Sequence, residues 1–387
     1  MHDSFNKASQ SQPNWSDWRW HMANRIRTVE QLRNWIDVSD TEAQAIEQNK
    51  QSYKFSVTPY YASLMDKSDP NCPIRRQAIP SHDELAVHPG ADVDPVGDTR
   101  YRKTNRVIHK YPDRVVLMVT ETCPVYCRHC TRKFHTTSKN GTYFREREAL
   151  SFEEDFQYIA NTPSIRDVLL TGGDPLVYSD SKLEAIISRL RSIPHVEIIR
   201  IGSRFPVLLP QRITEEFCSM LENYHPLWLN THFNHPSEIT PQAAEACDRL
   251  LRHGIPVQNQ SVLLKGINDD LATMRRLLCE LLKIRVRPYY LYHCDNVVGV
   301  SHFLTSIEAG KALMDGMYGN ISGFSLPSYI ITTHLGKIPI TKEYVRRQDD
   351  HYFLEGYQGH TMIYEEPIIP TSHEVCEQKI IKSHTTT

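Results

Sequence analysis

The sequence predicts an α/β protein built on a barrel or partial barrel of parallel strands, with six or so βα repeats, a (β/α)6 arrangement. From residue 106 onward, seven short apolar runs rich in β-branched or aromatic residues alternate with amphipathic helical patterns. This alternation is typical of βα units on a parallel sheet. The number of repeats favours a barrel over a short open sheet, and active sites in such barrels lie at the carboxyl ends of the strands.

The first region, residues 1–105, is predicted to be a helical arm. Residues 15–50 contain WSDWRWHMANRI and VEQLRNWI, in which apolar residues recur at helical spacing. The stretch from Pro70 to Tyr101 is rich in Pro, Asp and Gly. That composition predicts an irregular connection or a loosely packed arm.

The second region, residues 106–340, is predicted to be the barrel. Its predicted strands lie at 115–120, 167–173, 196–203, 227–233, 256–264, 287–293 and 327–334. Helical patterns such as KLEAIISRLRSI and ITPQAAEACDRLLRHG stand between them. After residue 340 the pattern weakens into a polar tail, and residues 341–387 are predicted to be a C-terminal extension that contacts another subunit.

Composition and charge exclude several classes of protein. The chain has 44 Lys and Arg against 46 Asp and Glu, a net charge of −2, so it lacks the basic excess that broad binding of nucleic acid or anionic membrane needs. No run approaches about 18 apolar residues, the length that predicts a membrane-spanning helix. The polar N-terminus lacks the apolar core of a secretion signal. The sequence therefore predicts a cytoplasmic protein that has neither nucleic acid nor a membrane as its partner.

Three of the nine cysteines form a cluster in the sequence. Cys123, Cys127 and Cys130 have the spacing C-x3-C-x2-C and follow the first predicted strand directly. Three thiols on one short loop can converge on one metal centre. Zinc normally takes four protein ligands, or three and a water, whereas a [4Fe–4S] cluster held by three thiolates leaves one iron open. Three ordinary buried thiols are the remaining alternative.

This cysteine spacing resembles the motif of the radical S-adenosylmethionine (SAM) family. The segment TGGDPL at 171–176 follows the second predicted strand and resembles the glycine-rich turn of that family. The resemblance implies that Gly172, Gly173 and Asp174 form the turn at which the backbone meets the amino group of SAM. A glycine pair after a strand is by itself only a turn signal.

Further segments resemble one branch of that family, the lysine 2,3-aminomutases. They include NWSDWRWHMANRI, IRIGSRFPV, LNTHFNHPSEIT and KIRVRPYYLYHCD, and they occur in the family's order over residues 15–340. The resemblance implies a [4Fe–4S] cluster, SAM and pyridoxal 5′-phosphate (PLP) as cofactors. It also implies an isomerase that moves the amino group of an amino acid from Cα to Cβ, with an electron donor such as flavodoxin or ferredoxin.

The resemblance assigns residues to the PLP site. Lys337 in HLGKIPI is the counterpart of the lysine that binds PLP as a Schiff base; an exposed loop lysine is the alternative. Lys110, Tyr111 and Arg114 match the region that binds the PLP phosphate. The family usually has Arg where this chain has Lys110, and Lys lacks the bidentate fork of Arg. A solvated basic turn is the alternative for this group.

Four further residues are assigned to SAM and to the substrate carboxylate. Arg132 matches the family's clamp for the α-carboxylate, which a planar guanidinium suits well. His232, Gln258 and Gln260 are predicted to line the SAM pocket. The alternative for these three is a polar residue satisfied inside the barrel.

The side-chain pocket departs from the family pattern. Lysine 2,3-aminomutases hold the substrate ammonium with two aspartates; Asp295 matches the first, but Thr332 falls at the place of the second. A neutral hydroxyl cannot replace a carboxylate charge. A guanidinium can pair with a single carboxylate at two points, so arginine is predicted ahead of lysine, with Thr332 or His334 reshaping the pocket. Glutamate is disfavoured because Asp295 would repel it.

A second departure concerns zinc and assembly. The well-known lysine enzymes carry zinc between subunits, but here the matching position is Asp270 and the tail offers only Cys376. The zinc site is therefore predicted to be absent, and the homo-oligomer is predicted to be held by apolar packing alone or to be smaller. Three other functions remain as alternatives to an arginine 2,3-aminomutase. They are a lysine 2,3-aminomutase acting on free lysine or on a lysine residue of a protein, a radical SAM enzyme without PLP, and a non-enzymatic zinc-binding module.

Overall fold

The structure is a computed structural model that describes residues 14–86, 88–137, 151–341, 344–349, 351–356 and 359–366. Within these residues, nine strands form one sheet in chain order and three form a second sheet. The first sheet contains β1 Val107–Tyr111, β2 Arg114–Thr120, β3 Asp167–Gly172, β4 Ile198–Gly202, β5 Leu227–Thr231, β6 Val257–Leu263, β7 Arg287–His293, β8 Ser328–Thr333 and β9 Gly336–Pro339. The second contains β10 Val345–Gln348, β11 His351–Glu355 and β12 Thr361–Tyr364.

The helices occupy the arm and the connections between strands. Those of the arm are α1 Trp18–Ala23, α2 Val29–Arg33, α3 Asp40–Ser52, α4 Pro59–Ala62 and α5 Pro73–Ala78. Those of the barrel are α6 Lys133–Thr137, α7 Glu153–Ala160, α8 Asp180–Arg191, α9 Phe205–Leu208, α10 Glu215–Glu222, α11 Pro241–Arg252, α12 Leu271–Lys283 and α13 Ile307–Met317. In the described part of the chain, no helix has the length and apolar composition that crossing a bilayer requires.

The first sheet has the topology of a partial barrel. Strands β2 to β8 pair in parallel with their neighbours in chain order. Each of the strands β2 to β7 is followed by at least one helix before the next strand begins. The fold class predicted from the sequence, an α/β partial barrel of six βα units, is confirmed. A seventh parallel strand, β8, follows the last of these helices.

Two antiparallel edge strands, β1 and β9, were not predicted. β1 pairs with β2 through a tight turn in which Tyr111 faces Arg114, and β9 pairs with β8 through another, in which Thr333 faces Gly336. Only two residues of β1 and two of β9 are buried. Such short, half-polar strands carry no apolar run, so their sequence signal is weak.

The polar tail expected after residue 340 is partly wrong, because residues 345–364 contain the second sheet. β11 pairs with both β10 and β12 in antiparallel register. Its core side chains are few, Tyr352 and Leu354 among them, so backbone pairing rather than an apolar pattern defines these strands. Cys376 lies outside the described residues, as do residues 1–13.

The arm packs closely on the barrel. The helices expected within residues 15–50 are present. The expectation of loose packing for 70–101 is wrong at its start, where Ile74, Ala78 and Ile79 are buried. Further contacts reach the barrel itself: the Arg25 Nη1 atom donates a hydrogen bond of 2.8 Å to the Cys123 carbonyl. The arm therefore braces the cysteine loop.

A buried ion network links the arm to the same loop. The Glu84 carboxylate accepts from Arg128 Nε at 2.8 Å and from Lys133 Nζ at 2.6 Å, and all three side chains are at most 1 % exposed. Burial raises the pKa of Glu84, but the two cations outweigh it and bring the pKa down to about 2. Arg128 lies between two of the clustered cysteines, so this network fixes the loop.

Glu84→Gln is expected to lower the free energy of unfolding by about 3–5 kcal/mol, because it leaves two buried cations without their counter-charge. Since the folded-state pKa of Glu84 is lowered to about 2, its contribution is present above the unfolded pKa and is lost as pH falls toward 2. Urea unfolding of the metal-free protein measures both effects. Glu47→Gln is the control, since Glu47 is 59 % exposed in its pair with Lys50. Equal losses in the two variants would contradict the prediction.

Candidate active site

A cavity of about 730 Å³ lies inside the barrel, a size typical of ligand sites. The predicted site residues that line it are Lys110, Tyr111, Arg114, Cys123, Cys127, Cys130, Arg132, Gly172, Gly173, Asp174, His232, Gln258, Gln260, Asp295, Thr332 and Lys337. His334 is not part of this lining. It lies in the two-residue turn between β8 and β9, close to Gly97 of the arm.

The three clustered cysteines stand on the loop after β2. All three are free thiols, partly accessible from the cavity. Burial raises the pKa of Cys123 and of Cys130, and the neighbouring acidic groups add to the effect on Cys123. Within the described ranges, no three His, Cys, Asp or Glu side chains are placed to hold one metal ion. A cluster offers a separate iron to each thiolate and requires no such convergence.

The two glycines of the turn after β3 allow it to touch the backbone just before the cysteine loop. A Cβ on Gly172 would lie 2.3 Å from the Thr120 carbonyl oxygen, and one on Gly173 would lie 2.4 Å from that of Thr122. Gly172 also has a φ of +126°, which side chains disfavour. Close contact between backbones therefore requires both glycines.

Asp174 extends this turn to the end of β4. One carboxylate oxygen accepts from the Ser203 hydroxyl at 2.8 Å and the other from the Arg204 backbone N–H at 2.8 Å. Burial raises the pKa of Asp174 to about 6, although these hydrogen bonds oppose the shift. The side chain thus joins β3 to β4 beside the cavity.

Gly173→Ala is expected to lower both thermal stability and the iron content of the reconstituted protein. The added Cβ meets a backbone oxygen, so no side chain can move aside, and overpacking of this kind costs about 1–3 kcal/mol. Gly323→Ala is the matched control, because nothing lies within 4 Å of a Cβ there. Thermal unfolding together with iron and sulfide analysis measures both effects; equal behaviour of the two variants would refute the clash.

Lys337 lies on β9 with its amine inside the cavity. Its backbone N–H donates to the Tyr111 hydroxyl at 2.7 Å, which connects β9 to β1 across the open edge of the barrel. A Cβ on Gly336 would lie 2.6 Å from that hydroxyl. The Lys337 Nζ atom is 4.8 Å from the ring centre of Tyr290 and 5.3 Å from that of Tyr292.

The amine of Lys337 is poised to be neutral near physiological pH. Its side chain is exposed, but it lines the cavity, and desolvation by the protein around that cavity lowers its pKa to about 7. The positive charges of Arg200 and Arg114 act in the same direction. A neutral amine is the form that attacks a carbonyl group.

The residues predicted to bind the PLP phosphate lie in two different environments. Lys110 donates to the backbone carbonyls of Val96 and Thr333, so its ammonium links the arm to β8. Burial lowers the pKa of Lys110. Arg114 lies over the Tyr111 ring, 3.9 Å from its centre. These residues were alternatively expected to form a solvated basic turn, but protein encloses part of the turn.

Two acidic side chains, Asp98 and Asp295, flank Arg132, and all three residues lie near Lys110. The Arg132 Nε atom lies 2.8 Å from Asp98 of the arm. Asp295 accepts from the Thr131 hydroxyl at 2.6 Å through one oxygen, while its other oxygen, Oδ1, is buried and has no hydrogen-bond partner among the described residues. Burial raises the pKa of Asp295 to about 6.

Sequence reasoning missed several residues that line this cavity. They are Asp98, Arg200, Arg204, Tyr290 and Tyr292. Two of the segments quoted above, IRIGSRFPV and KIRVRPYYLYHCD, contain four of them, and alternation along β4 and β7 was the available signal for Arg200, Tyr290 and Tyr292. Asp98 comes from the irregular part of the arm, where no periodicity marks it.

Burial lowers the pKa of His232 to about 3, and Arg204 adds to the shift.

Comparisons with known proteins identify the family. The Radical SAM superfamily matches residues 117–278. An L-lysine 2,3-aminomutase of Clostridium subterminale is 46 % identical over 361 residues, which are 92 % of this chain and 86 % of that protein. One of Fusobacterium nucleatum is 44 % identical over 375 residues, 96 % and 87 % of the two chains. The chain belongs to the lysine 2,3-aminomutase family.

The same comparisons set the reaction class of this enzyme. A glutamate 2,3-aminomutase of Clostridioides difficile is 39 % identical over 372 residues, 95 % of this chain and 87 % of that protein. The enzyme is thus a radical SAM 2,3-aminomutase, an isomerase that acts on an amino acid and needs a reductant. Its cofactors are a [4Fe–4S] cluster, SAM and PLP.

The cavity offers groups suited to the cluster and to PLP. Three thiols face it together, as three-cysteine ligation of a cluster requires. A lysine amine with a pKa of about 7 stands beside tyrosine rings and arginines, as PLP requires. The residues present fit both groups.

Proposed function

We propose that the enzyme moves the amino group of a basic L-α-amino acid from C2 to C3, with arginine preferred to lysine. The observation that carries the proposal is the buried Oδ1 oxygen of Asp295, which has no partner among the described residues and belongs to a residue that lines the cavity. A buried acceptor without a hydrogen bond is costly. A cationic group of the substrate would satisfy it.

We assign the cofactors to the residues that line the cavity. Cys123, Cys127 and Cys130 would hold the cluster, and Lys337 would hold PLP. The remaining groups would bind the cofactors' polar parts: Lys110, Tyr111 and Arg114 the PLP phosphate, and Gly172, Gly173, Asp174, His232, Gln258 and Gln260 SAM. When bound, these cofactors supply the radical and the electron delocalisation that the migration needs, while the protein binds, orients and excludes water.

The substrate would lie between Arg132 and Asp295. The guanidinium of Arg132 suits an α-carboxylate, and Asp98 holds its Nε edge at 2.8 Å. Asp295 would then receive the substrate side chain; it accepts from the Thr131 hydroxyl, and Thr332 lines the same cavity. A carboxylate side chain would meet the charge of Asp295, which argues against glutamate.

Arginine fits the part of the cavity around Asp295 better than lysine does. The family's second aspartate is replaced by Thr332, so a lysine ammonium would keep only one charged partner. A guanidinium can instead engage both oxygens of Asp295 and direct a further N–H toward a hydroxyl. Each hydrogen bond to a charged group contributes about 1.5–3 kcal/mol, enough to rank two substrates.

Competition among three amino acids tests the proposal. The reconstituted enzyme is incubated without oxygen with SAM, PLP, dithionite and equal amounts of L-arginine, L-lysine and L-glutamate, and the β-amino products are quantified by mass spectrometry. We expect β-arginine to exceed β-lysine and β-glutamate to be absent. A preference for lysine would overturn the ranking, and a preference for glutamate would overturn the role of Asp295.

A further inference from the structure

We propose that Arg204 is a positioning residue that makes the bound cluster easier to reduce, by donating a hydrogen bond from its guanidinium to the Cys127 sulfur. This inference depends on the cysteine assignment made under the proposed function. Arg204 lies two residues beyond the end of β4 and is 7 % exposed. Its Nη1 atom lies 2.9 Å from Cys127 Sγ.

The contact is part of a fixed arrangement. The Nε atom of Arg204 donates to the His232 carbonyl at 2.9 Å, and Nη2 donates to Glu238 and to Gln77 at 2.6 Å each. These acceptors occupy the sides of the guanidinium that do not face Cys127. The side chain cannot turn away from the sulfur without breaking three other hydrogen bonds.

The anchor Glu238 is itself completely buried. It accepts from the Tyr61 hydroxyl at 2.7 Å and from the backbone N–H groups of Asn234 and His235 at 2.6 and 3.0 Å. The arm and the loop after β5 therefore hold the carboxylate, and the carboxylate holds Arg204. Such a supporting network orients a group that acts on a metal centre through its ligand.

The positive charge of Arg204 determines whether the reduction potential of the cluster rises or falls. A guanidinium stays protonated in proteins, and hydrogen bonds to cluster sulfurs help to set the reduction potential. Reduction takes one electron from a low-potential reductant and converts [4Fe–4S]2+ to [4Fe–4S]1+, so the reduced cluster carries one more negative charge. A cation at Cys127 stabilises that state, and water exclusion strengthens the interaction.

Glu238 provides a test with the opposite sign. Its carboxylate partly offsets the charge of Arg204 from the side away from Cys127. Replacing the carboxylate by the amide of Gln removes that negative charge and keeps one oxygen that can still accept from Arg204 Nη2. The potential should then rise rather than fall, which a general loosening of the site would not produce.

The experiment measures the midpoint potential of the cluster in the full-length protein by redox titration monitored by electron paramagnetic resonance, without SAM or amino acid. Arg204→Gln, Arg204→Lys and Glu238→Gln are compared with wild type after iron and sulfide analysis. Arg212→Gln is the matched control, because Arg212 is equally buried but pairs with Asp180 at 2.7 Å. A tenfold change in a one-electron equilibrium corresponds to about 59 mV.

We expect reduction of the Arg204→Gln cluster to become at least about tenfold less favourable, a negative shift of about 59 mV or more. Arg204→Lys should shift less, Glu238→Gln should shift in the positive direction, and Arg212→Gln should match wild type. An Arg204→Gln protein with four irons and an unchanged potential would overturn the proposal.

Two further outcomes distinguish a failure of the Arg204 proposal from a failure of the cysteine assignment. If Arg204→Gln cannot be loaded with iron, Glu238→Gln decides, and a zero or negative shift in that variant overturns the proposal. If Cys127→Ala retains four irons, the cysteine assignment fails instead. Neither measurement depends on which amino acid the enzyme converts.

Discussion

Replacing Lys337 by alanine is expected to reduce aminomutase activity to the background of an enzyme-free mixture. The side chain is the amine that the cavity presents beside Tyr290 and Tyr292, and covalent attachment of PLP needs an amine at that place. The variant should lose bound PLP on gel filtration while it keeps its iron and sulfide. Absorbance of the protein-bound cofactor measures the first property, and metal analysis measures the second.

The pH dependence of PLP uptake sharpens this prediction. Burial lowers the pKa of Lys337 to about 7, with help from Arg200 and Arg114. Because only the neutral amine reacts, uptake by the PLP-free protein should rise with pH and level off above about 7. Arg200→Gln removes one of the cations and should move the plateau to higher pH.

A surface lysine serves as control for the alanine variant. Lys182 lies over the Tyr178 ring at 3.8 Å and at the start of a helix outside the cavity, so Lys182→Ala should retain PLP and activity. Wild-type uptake that keeps rising to the ordinary lysine pKa of 10.5 would contradict the electrostatic account. Retention of PLP by Lys337→Ala would contradict the assignment itself.

Much of the barrel could be predicted because each strand contributes a row of fully buried side chains, as β3 and β4 show. Apolar runs such as VVLMVT of β2 alternate with amphipathic helical segments, and this alternation can be recognised from a single sequence. The edge strands β1 and β9 could not be predicted in this way, since only two residues of each are buried. Their pairing depends on the strands beside them rather than on their own composition.

The cavity residues divide by the kind of signal that marks them. Cys127 and Gly173 belong to short motifs whose spacing is itself informative, and both line the cavity. Asp98 reaches the cavity from an irregular segment, and only the folded arm brings it to Arg132 at 2.8 Å. Residues that approach the site across long sequence distances, through loops, carry no local pattern that could reveal them.

Replacing Asp295 by asparagine is expected to lower kcat/KM for arginine by at least about 30-fold, because breaking a buried charge pair costs about 2–5 kcal/mol. The same variant should convert citrulline, the uncharged isostere of arginine, relatively better than wild type does. In wild type, kcat/KM for arginine should fall as pH drops below about 6, since burial raises the pKa of Asp295 to about 6 and the protonated acid no longer attracts a cation.

Both results follow only if the Asp295 carboxylate meets the substrate side chain. Asp315→Asn is the control, because Asp315 is exposed on a barrel helix and its removal changes net charge equally. If Asp295 merely supported the fold through Thr131, the variant would lose arginine and citrulline turnover in the same proportion. An unchanged ratio of the two rates would therefore remove Asp295 from the substrate pocket, whereas a reversed preference would establish an ionic contact.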